Sequence, residues 1–137
     1  MELRYAERAS ASPAWPLIVE GYFWLTQDGF ATGPPITGAE HAIFAVEGAD
    51  EVVGVLCWRT VLDTGDSTVA LGYVEPSSRR LGVFKAMWNE LLARVRRAGA
   101  ARVMVDAHDG NELMLTVLQR LDMQIIASRY AVNLAVK

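Results

Sequence analysis

Residues 74–88 read Val-Glu-Pro-Ser-Ser-Arg-Arg-Leu-Gly-Val-Phe-Lys-Ala-Met-Trp, and this stretch decides the fold. The apolar run Thr68–Val74 predicts a strand that stops before Pro76, and the spacing of apolar residues from Leu81 onward predicts a helix. The first amides of a helix have no intrahelical partner, and the helix dipole adds about half a positive charge there. Three cationic side chains accompany them: Arg79, Arg80 and Lys85. The stretch therefore predicts a site for a phosphorylated ligand.

The helix of this stretch is flanked by strands on both sides. Its apolar residues recur at steps of three and four up to about Arg97, and Arg102–Ala107 then predicts a strand. A strand, helix and strand of this length form a parallel pair with a right-handed crossover. Ligand crevices tend to lie beyond the carboxyl ends of strands at such a joint. The phosphate site is therefore expected at the opening of this pair.

The rest of the chain predicts a mixed α/β sheet with helices on both faces. Before the joint, three strands linked by tight turns indicate an antiparallel meander. The predicted strands are Leu3–Glu7, Ala42–Glu47, Glu51–Leu62, Ser67–Val74, Arg102–Ala107 and a closing strand within Met123–Val136. The predicted helices are Trp15–Asp28, Leu81–Arg97 and Asn111–Leu121.

Composition restricts the class of protein. The 137 residues are 52% hydrophobic, which predicts one globular domain over residues 1–137. A net charge of −3 argues against a general nucleic-acid binder, although a local basic groove remains compatible with it. No secretory leader and no run of about 20 apolar residues is visible, so we expect a cytoplasmic protein that does not span a membrane. The single cysteine, Cys57, lies in an apolar strand and is expected to be an inert thiol.

Residues 74–84 resemble the acyl-CoA signature of the GNAT superfamily of N-acyltransferases, Val-x-Pro-x-x-Arg/Gln-x-x-Gly-x-Gly/Ala. The order of elements from His41 onward is also similar to that fold. The resemblance implies an antiparallel meander followed by a parallel pair that opens as a V-shaped crevice for CoA. It also implies a set of cofactor-binding residues: Tyr73, Val74, Arg79, Arg80, Leu81, Gly82, Val83, Phe84, Lys85 and Asn111.

Two positions depart from the family pattern. Phe84 replaces the second Gly or Ala of the signature, where backbone approaches the cofactor closely. Leu118 stands where the family often has a Tyr that protonates the leaving thiolate, and a leucine cannot donate a proton. Asp122 replaces a glycine of left-handed conformation, which Asp tolerates better than most residues.

Other side chains must then supply the acid and base, or catalysis is absent. The candidates are His108, Tyr130 and Glu75, each of which also has a purely structural interpretation. Asp106, His108 and Asp109 are better explained by a strand end and a helix cap than by a metal, so no metal is expected. The aromatic region 15–30 is expected to flank the acceptor, or to form core or a homodimer face.

The function implied by the resemblance is transfer of an acetyl group from acetyl-CoA to a primary amine by direct attack. The amine is carried by a small molecule or a macromolecule, and a nucleobase amine is disfavoured by the acidic net charge. The alternative is a GNAT-like module that binds CoA or a protein partner and has lost catalysis. Phe84 and Leu118 favour the alternative, whereas the intact Arg79–Gly82 segment favours the enzyme.

Overall fold

The computed structural model describes residues 1–61, 64–79, 81–126, 132 and 134. The strands are β1 (Glu2–Ala6), β2 (His41–Glu47), β3 (Glu51–Val61), β4 (Asp66–Val74) and β5 (Val103–Val105). The helices are α1 (Trp15–Gln27), α2 (Val83–Arg97) and α3 (Glu112–Arg120), with short 3-10 turns at Ala9–Ala11 and Pro76–Ser78. Among the described helices, none is both long enough and apolar enough to cross a membrane.

The five strands form one sheet in the order β1-β2-β3-β4-β5. The first four strands are antiparallel neighbours, and β4 pairs with β5 in parallel after the crossover through α2. This arrangement confirms the predicted mixed sheet. It follows from the sequence because tight turns join only antiparallel strands, whereas a parallel pair needs a long connection such as a helix.

The parallel pair is short, and this is what opens the sheet. Hydrogen-bonded partners run only from Ser67–Val69 to Val103–Val105, while β4 continues to Val74. The register between β3 and β4 shifts by one residue where Cys57 gives way to Trp58, which leaves Ala70 as an extra residue of β4. Beyond this irregularity the edge of β4 faces a gap that β5 does not fill.

Helices cover both faces of the sheet. On one face α2 packs five buried residues onto alternate residues of β2 and β3: Val83, Met87, Trp88, Leu91 and Val95. On the opposite face α1 contributes Ile18 and Gly21 to a second apolar cluster that includes Phe44, Val55 and Leu71. The period of two along each strand supplies both cores at once, because successive side chains point to opposite faces.

Three predicted elements differ from the structure by more than one residue at a boundary. Helix α2 starts at Val83 and not at Leu81, because Gly82 takes a left-handed φ of 79° that breaks the helix and leaves Leu81 73% exposed. The strand predicted over Arg102–Ala107 is limited to β5. Residues 123–126 of the predicted closing strand are not a strand, and most of its remainder lies outside the described residues. The left-handed conformation expected at Asp122 is confirmed by a φ of 56°.

Candidate acyl-transfer site

A crevice opens where β4 and β5 part, and it is the candidate site. It has a cavity volume of about 50 Å³. Its walls come from α1, from the loop after α1, from the two strands, from α2 and from α3. The lining residues are Tyr22, Leu25, Phe30, Ala31, Thr32, Val69, Ala70, Leu71, Gly72, Phe84, Trp88, Val105, Asp106, Ala107, Asn111, Met114 and Leu118.

The N-terminus of α2 has the properties of a phosphate site. Gly82 precedes the helix in a left-handed conformation, and no side chain caps the first turn. The first hydrogen bond of the turn runs from the Ala86 amide to the Gly82 carbonyl (3.0 Å), so the amides of residues 83–85 lack intrahelical acceptors. A Cβ placed on Gly82 would meet nothing within 4 Å, which leaves open space in front of these amides. These residues fit the pyrophosphate of a CoA group.

Arg79 ties the turn before α2 to the end of β4. Its Nε donates to the Val74 carbonyl at 2.9 Å, and its guanidinium carbon lies 5.5 Å from the centroid of the Tyr73 ring. The guanidinium therefore shapes the turn as well as adding positive charge near it. Of the other predicted cations, Lys85 is exposed on the first turn of α2, and Arg80 lies outside the described residues.

Tyr73 is held on the α1 side of β4. A Cβ added at Gly21 would lie 2.7 Å from Tyr73 Cγ. The Tyr73 ring can therefore pack this close to α1 only because residue 21 has no side chain. Burial, followed by the hydrogen bond and charge of Glu20, raises the pKa of Tyr73 above its usual range, and Arg79 opposes the shift. The Tyr73 side chain therefore packs against α1, and its predicted role in binding the cofactor through its backbone stays a prediction.

Phe84, which stands where the GNAT signature has Gly or Ala, packs against a glycine in β4. A Cβ at Gly72 would lie 2.7 Å from Phe84 Cε2, so the ring rests directly on the backbone of the strand. Phe84 and Trp88 together form the α2 wall of the crevice. Sequence reasoning recognised the unusual residue but missed its partner, although a glycine inside an apolar strand signals a close backbone approach.

Asn111 and Leu118 both line the crevice from α3. Asn111 caps the helix, since its Oδ1 accepts from the Met114 amide at 3.2 Å, and its side-chain NH2 is left for other acceptors. The position that the family often fills with Tyr therefore does face the crevice. In this chain it presents the methyl groups of Leu118.

Of the predicted catalytic residues within the described part of the chain, neither His108 nor Glu75 is among the residues that line the crevice. His108 packs on Phe30 with ring centroids 5.4 Å apart, at the rim of the crevice. Its Nδ1 accepts from the Gly110 amide at 2.9 Å, so the neutral ring carries its proton on Nε2. The Glu75 amide donates to the Val53 carbonyl on the β3 side, and Tyr130 lies outside the described residues. Roles for these three residues stay predictions.

Two polar groups in the crevice were not assigned to catalysis from the sequence. Asp106 follows β5 directly and is an exposed residue of the crevice lining, and its Oδ2 lies near Gly33 in the loop after α1. Tyr22 of α1 also lines the crevice. The only sequence signal for Asp106 was its position at the carboxyl end of the strand, and no local pattern distinguishes Tyr22 from the other aromatic residues of α1. No group of three potential metal ligands occurs in the described part of the chain.

A buried ion pair fixes the loop that forms one wall of the crevice. The Glu40 side chain is 1% exposed, and its Oε2 lies 3.0 Å from Arg59 NH2. The same guanidinium nitrogen donates to the carbonyls of Pro34 (3.2 Å) and Pro35 (2.9 Å). Glu40 also accepts from the amides of Thr37 and Gly38 at 3.0 and 2.8 Å. These contacts hold residues 34–40, and through them the crevice-lining segment 30–32.

Cys57 is buried in β3, and burial raises the pKa of its thiol to about 12. Since the thiolate is the nucleophilic form, this cysteine is unsuited to covalent catalysis. The finding agrees with the inert thiol expected from the apolar strand around it.

Comparison with known proteins identifies relatives of the whole fold. The model of the Acetyltransferase (GNAT) family matches residues 7–123. No curated protein matches the sequence significantly. A ribosomal-protein-alanine N-acetyltransferase from Brucella melitensis biovar Abortus 2308 has a similar structure, with a TM-score of 0.69 and 18% identity over 97% of this chain and 99% of that one.

Two further solved structures are similar. An aminoglycoside acetyltransferase from an uncultured soil metagenomic sample gives a TM-score of 0.68 with 17% identity, over 98% of this chain and 99% of that one. The N-acetylglutamate synthase from Neisseria gonorrhoeae, complexed with coenzyme A and N-acetyl-glutamate, gives 0.63 with 13% identity. That match covers 85% of this chain but 28% of the synthase. At these identities the likeness concerns the fold.

Proposed function

This chain belongs to the GNAT family of acetyltransferases, and from that premise we propose that it transfers the acetyl group of acetyl-CoA to a primary amine. The observation that carries the proposal is the uncapped N-terminus of α2, which opens beside the gap between β4 and β5. One end of the gap is suited to phosphate groups, and the other end is an apolar crevice with isolated polar side chains. A phosphorylated carrier with a long neutral arm matches such a site.

The residues that would hold acetyl-CoA are the amides of residues 81–85 at the α2 N-terminus and the free backbone edge of β4. Asn111 adds a side-chain NH2 at the crevice wall. Acetyl-CoA supplies an activated acyl group when it is bound. The helix N-terminus supplies fixed donors and partial positive charge that need no reorganisation on binding.

We propose that Asp106 acts on the acceptor side. Its carboxylate is the acidic group among the lining residues, so it attracts an ammonium group and accepts a proton from it before attack. Tyr22 lines the same crevice and provides a hydroxyl that α3 lacks at Leu118, so we assign to it the proton for the departing thiolate. Direct transfer is supported by the burial of Cys57, which disfavours an acyl-cysteine.

The test combines binding with turnover. Calorimetry with acetyl-CoA is expected to give a dissociation constant in the micromolar range, and a thiol-release assay is expected to give turnover with amines. Tyr22→Phe and Asp106→Asn are expected to bind acetyl-CoA as the parent does and to lose turnover by about a hundredfold, the usual scale for a general acid or base. Lack of acetyl-CoA binding at millimolar concentration contradicts the proposal.

A CoA-binding module without catalysis is the second candidate, and Leu118 is the observation that favours it. Its crevice position removes the hydroxyl that α3 would supply. The same assays separate the two candidates, because a module binds acetyl-CoA tightly yet gives no thiol release with any amine. Leu118→Tyr would then be expected to create turnover in a module.

A further inference from the structure

We propose that the acceptor is a small amine that carries one ammonium group next to an aromatic or bulky aliphatic group, an arylalkylamine in chemical class. This inference rests on the proposed function and narrows it. The structural neighbours act on chemically different acceptors, and the lining of this crevice differs from what a polycationic acceptor needs.

The acceptor side of the crevice is mainly apolar. Leu25 of α1 and Phe30 and Ala31 of the loop after it line this side, and α3 contributes Met114 and Leu118. Burying a phenyl ring against such walls is favourable, whereas burying hydroxyl groups without partners is costly. An acceptor rich in hydroxyl groups would leave them unsatisfied here.

The charge on the acceptor side suits one cation. Asp106 is the carboxylate among the lining residues. Asp109 and Glu112 are exposed, as Asp106 is, but neither lines the crevice, and Asp109 Oδ1 lies 3.3 Å from His108 Nδ1. A polycation would therefore place most of its charges against apolar or solvent-screened surface.

The wall is preformed. Arg59, paired with Glu40, donates to the carbonyls of Pro34 and Pro35, and Thr32 Oγ1 donates to the Asp106 carbonyl at 3.4 Å. Phe30 is also fixed, because its amide donates to the Leu25 carbonyl at 2.8 Å and its ring packs on His108. A wall fixed at both ends selects by shape, since it does not rearrange to follow a larger acceptor such as a peptide.

The first experiment compares acceptors with the unmodified protein and acetyl-CoA. The panel contains 2-phenylethylamine, ethylamine, spermidine, kanamycin and a peptide with N-terminal alanine, and release of thiol is measured. We expect kcat/KM for 2-phenylethylamine to exceed that for ethylamine and for spermidine by at least about tenfold.

Matched variants test the role of the wall. Phe30→Ala removes the aromatic wall and is expected to lower kcat/KM for 2-phenylethylamine about tenfold with little change for ethylamine. Phe23→Ala is the control, because Phe23 is 51% exposed on the outer side of α1. It is expected to leave both amines unchanged. Thermal melting confirms that each variant is folded.

The outcomes are distinguishable. If acetyl-CoA binds but spermidine, kanamycin or the peptide is preferred, or no amine of the panel is acetylated, this inference fails. If one of the other amines is preferred, the proposed acetyl transfer still stands, because the protein then acetylates an amine. Equal loss for both amines in Phe30→Ala also contradicts the inference, because a structural defect would act on all acceptors alike. If acetyl-CoA itself does not bind, the proposed function fails and this inference fails with it.

Discussion

The two helices α2 and α3, which both contribute residues to the crevice, are anchored very differently. Helix α2 buries five of its fifteen residues in the main core, with Met87 and Leu91 fully enclosed. Helix α3 buries none of its nine residues, and Leu113 is 65% exposed. The proposed phosphate-binding amides lie on α2, so the donor end of the proposed site belongs to the helix with the larger buried face. The acceptor end depends on α3, on a loop and on one ion pair.

The difference in burial between α2 and α3 explains how one crevice has a rigid end at α2 and a less firmly anchored end at α3. Amides at a helix N-terminus bind only when the helix axis is fixed, and the core of α2 fixes it. The proposed acceptor wall is instead held by few contacts, so a substitution there is expected to leave the core of α2 intact.

Truncation of the α2 core is expected to be the most damaging change. Met87→Ala removes a fully buried side chain and should lower the free energy of unfolding by about 4 kcal/mol. The matched change on α3, Leu115→Ala, removes a half-buried side chain and should cost about 1 kcal/mol. Urea unfolding of both variants measures the contrast. Equal losses would show that the two helices are anchored equally well.

Removal of the cation from the buried ion pair is expected to weaken the acceptor wall. Arg59→Met leaves the Glu40 carboxylate without its partner and should cost about 3 kcal/mol of unfolding free energy. The KM for an amine should rise while calorimetry with acetyl-CoA gives the parental affinity. In the double variant Arg59→Met with Glu40→Gln, part of the stability should return. A fall in acetyl-CoA affinity would contradict the separation of the two ends.

A carboxylate at the donor end is expected to abolish cofactor binding without unfolding the chain. Gly82→Glu places negative charge before the free amides of α2 and should lower acetyl-CoA affinity by about a hundredfold or more. The control is Gly99→Glu at the other end of α2. Gly82 and Gly99 have similar φ values, 79° and 86°, and open space around the added Cβ, so the backbone strain is matched. Equal losses of affinity would remove the phosphate assignment.

The smallest predicted effect is the dependence of stability on pH through Glu40. Burial raises the pKa of Glu40, but the amides of Thr37 and Gly38 and the charge of Arg59 together lower it below its usual 4.5. A carboxylate with a lowered pKa contributes stability that is present above pH 4.5 and is lost as the pH falls through its folded-state pKa. Urea midpoints between pH 6 and pH 3 should therefore fall less steeply in Glu40→Gln than in the parent. Parallel slopes would contradict this assignment.

Part of the site could be read directly from the sequence because it is local. Residues 74–88 contain a strand end, a glycine and an amphipathic helix, and each of these has a short-range signature. The same holds for the mixed sheet, since the lengths of the connections separate antiparallel from parallel neighbours. The Asn111 cap and the left-handed Asp122 were likewise predictable from the residue types.

The rest depended on which distant residues meet. Three features join segments that are far apart in the chain. They are the contact of Phe84 with Gly72, the hydrogen bonds and ion pair of Arg59 in the loop 34–40, and the presence of Tyr22 and Asp106 in one crevice. No sequence pattern encodes such meetings, because they are set by the packing of whole helices and strands. The residue pattern alone therefore predicts the fold class and the glycine turn before α2. Only the tertiary structure decided which carboxylate and which aromatic rings face the crevice, since side-chain direction there follows from long-range packing.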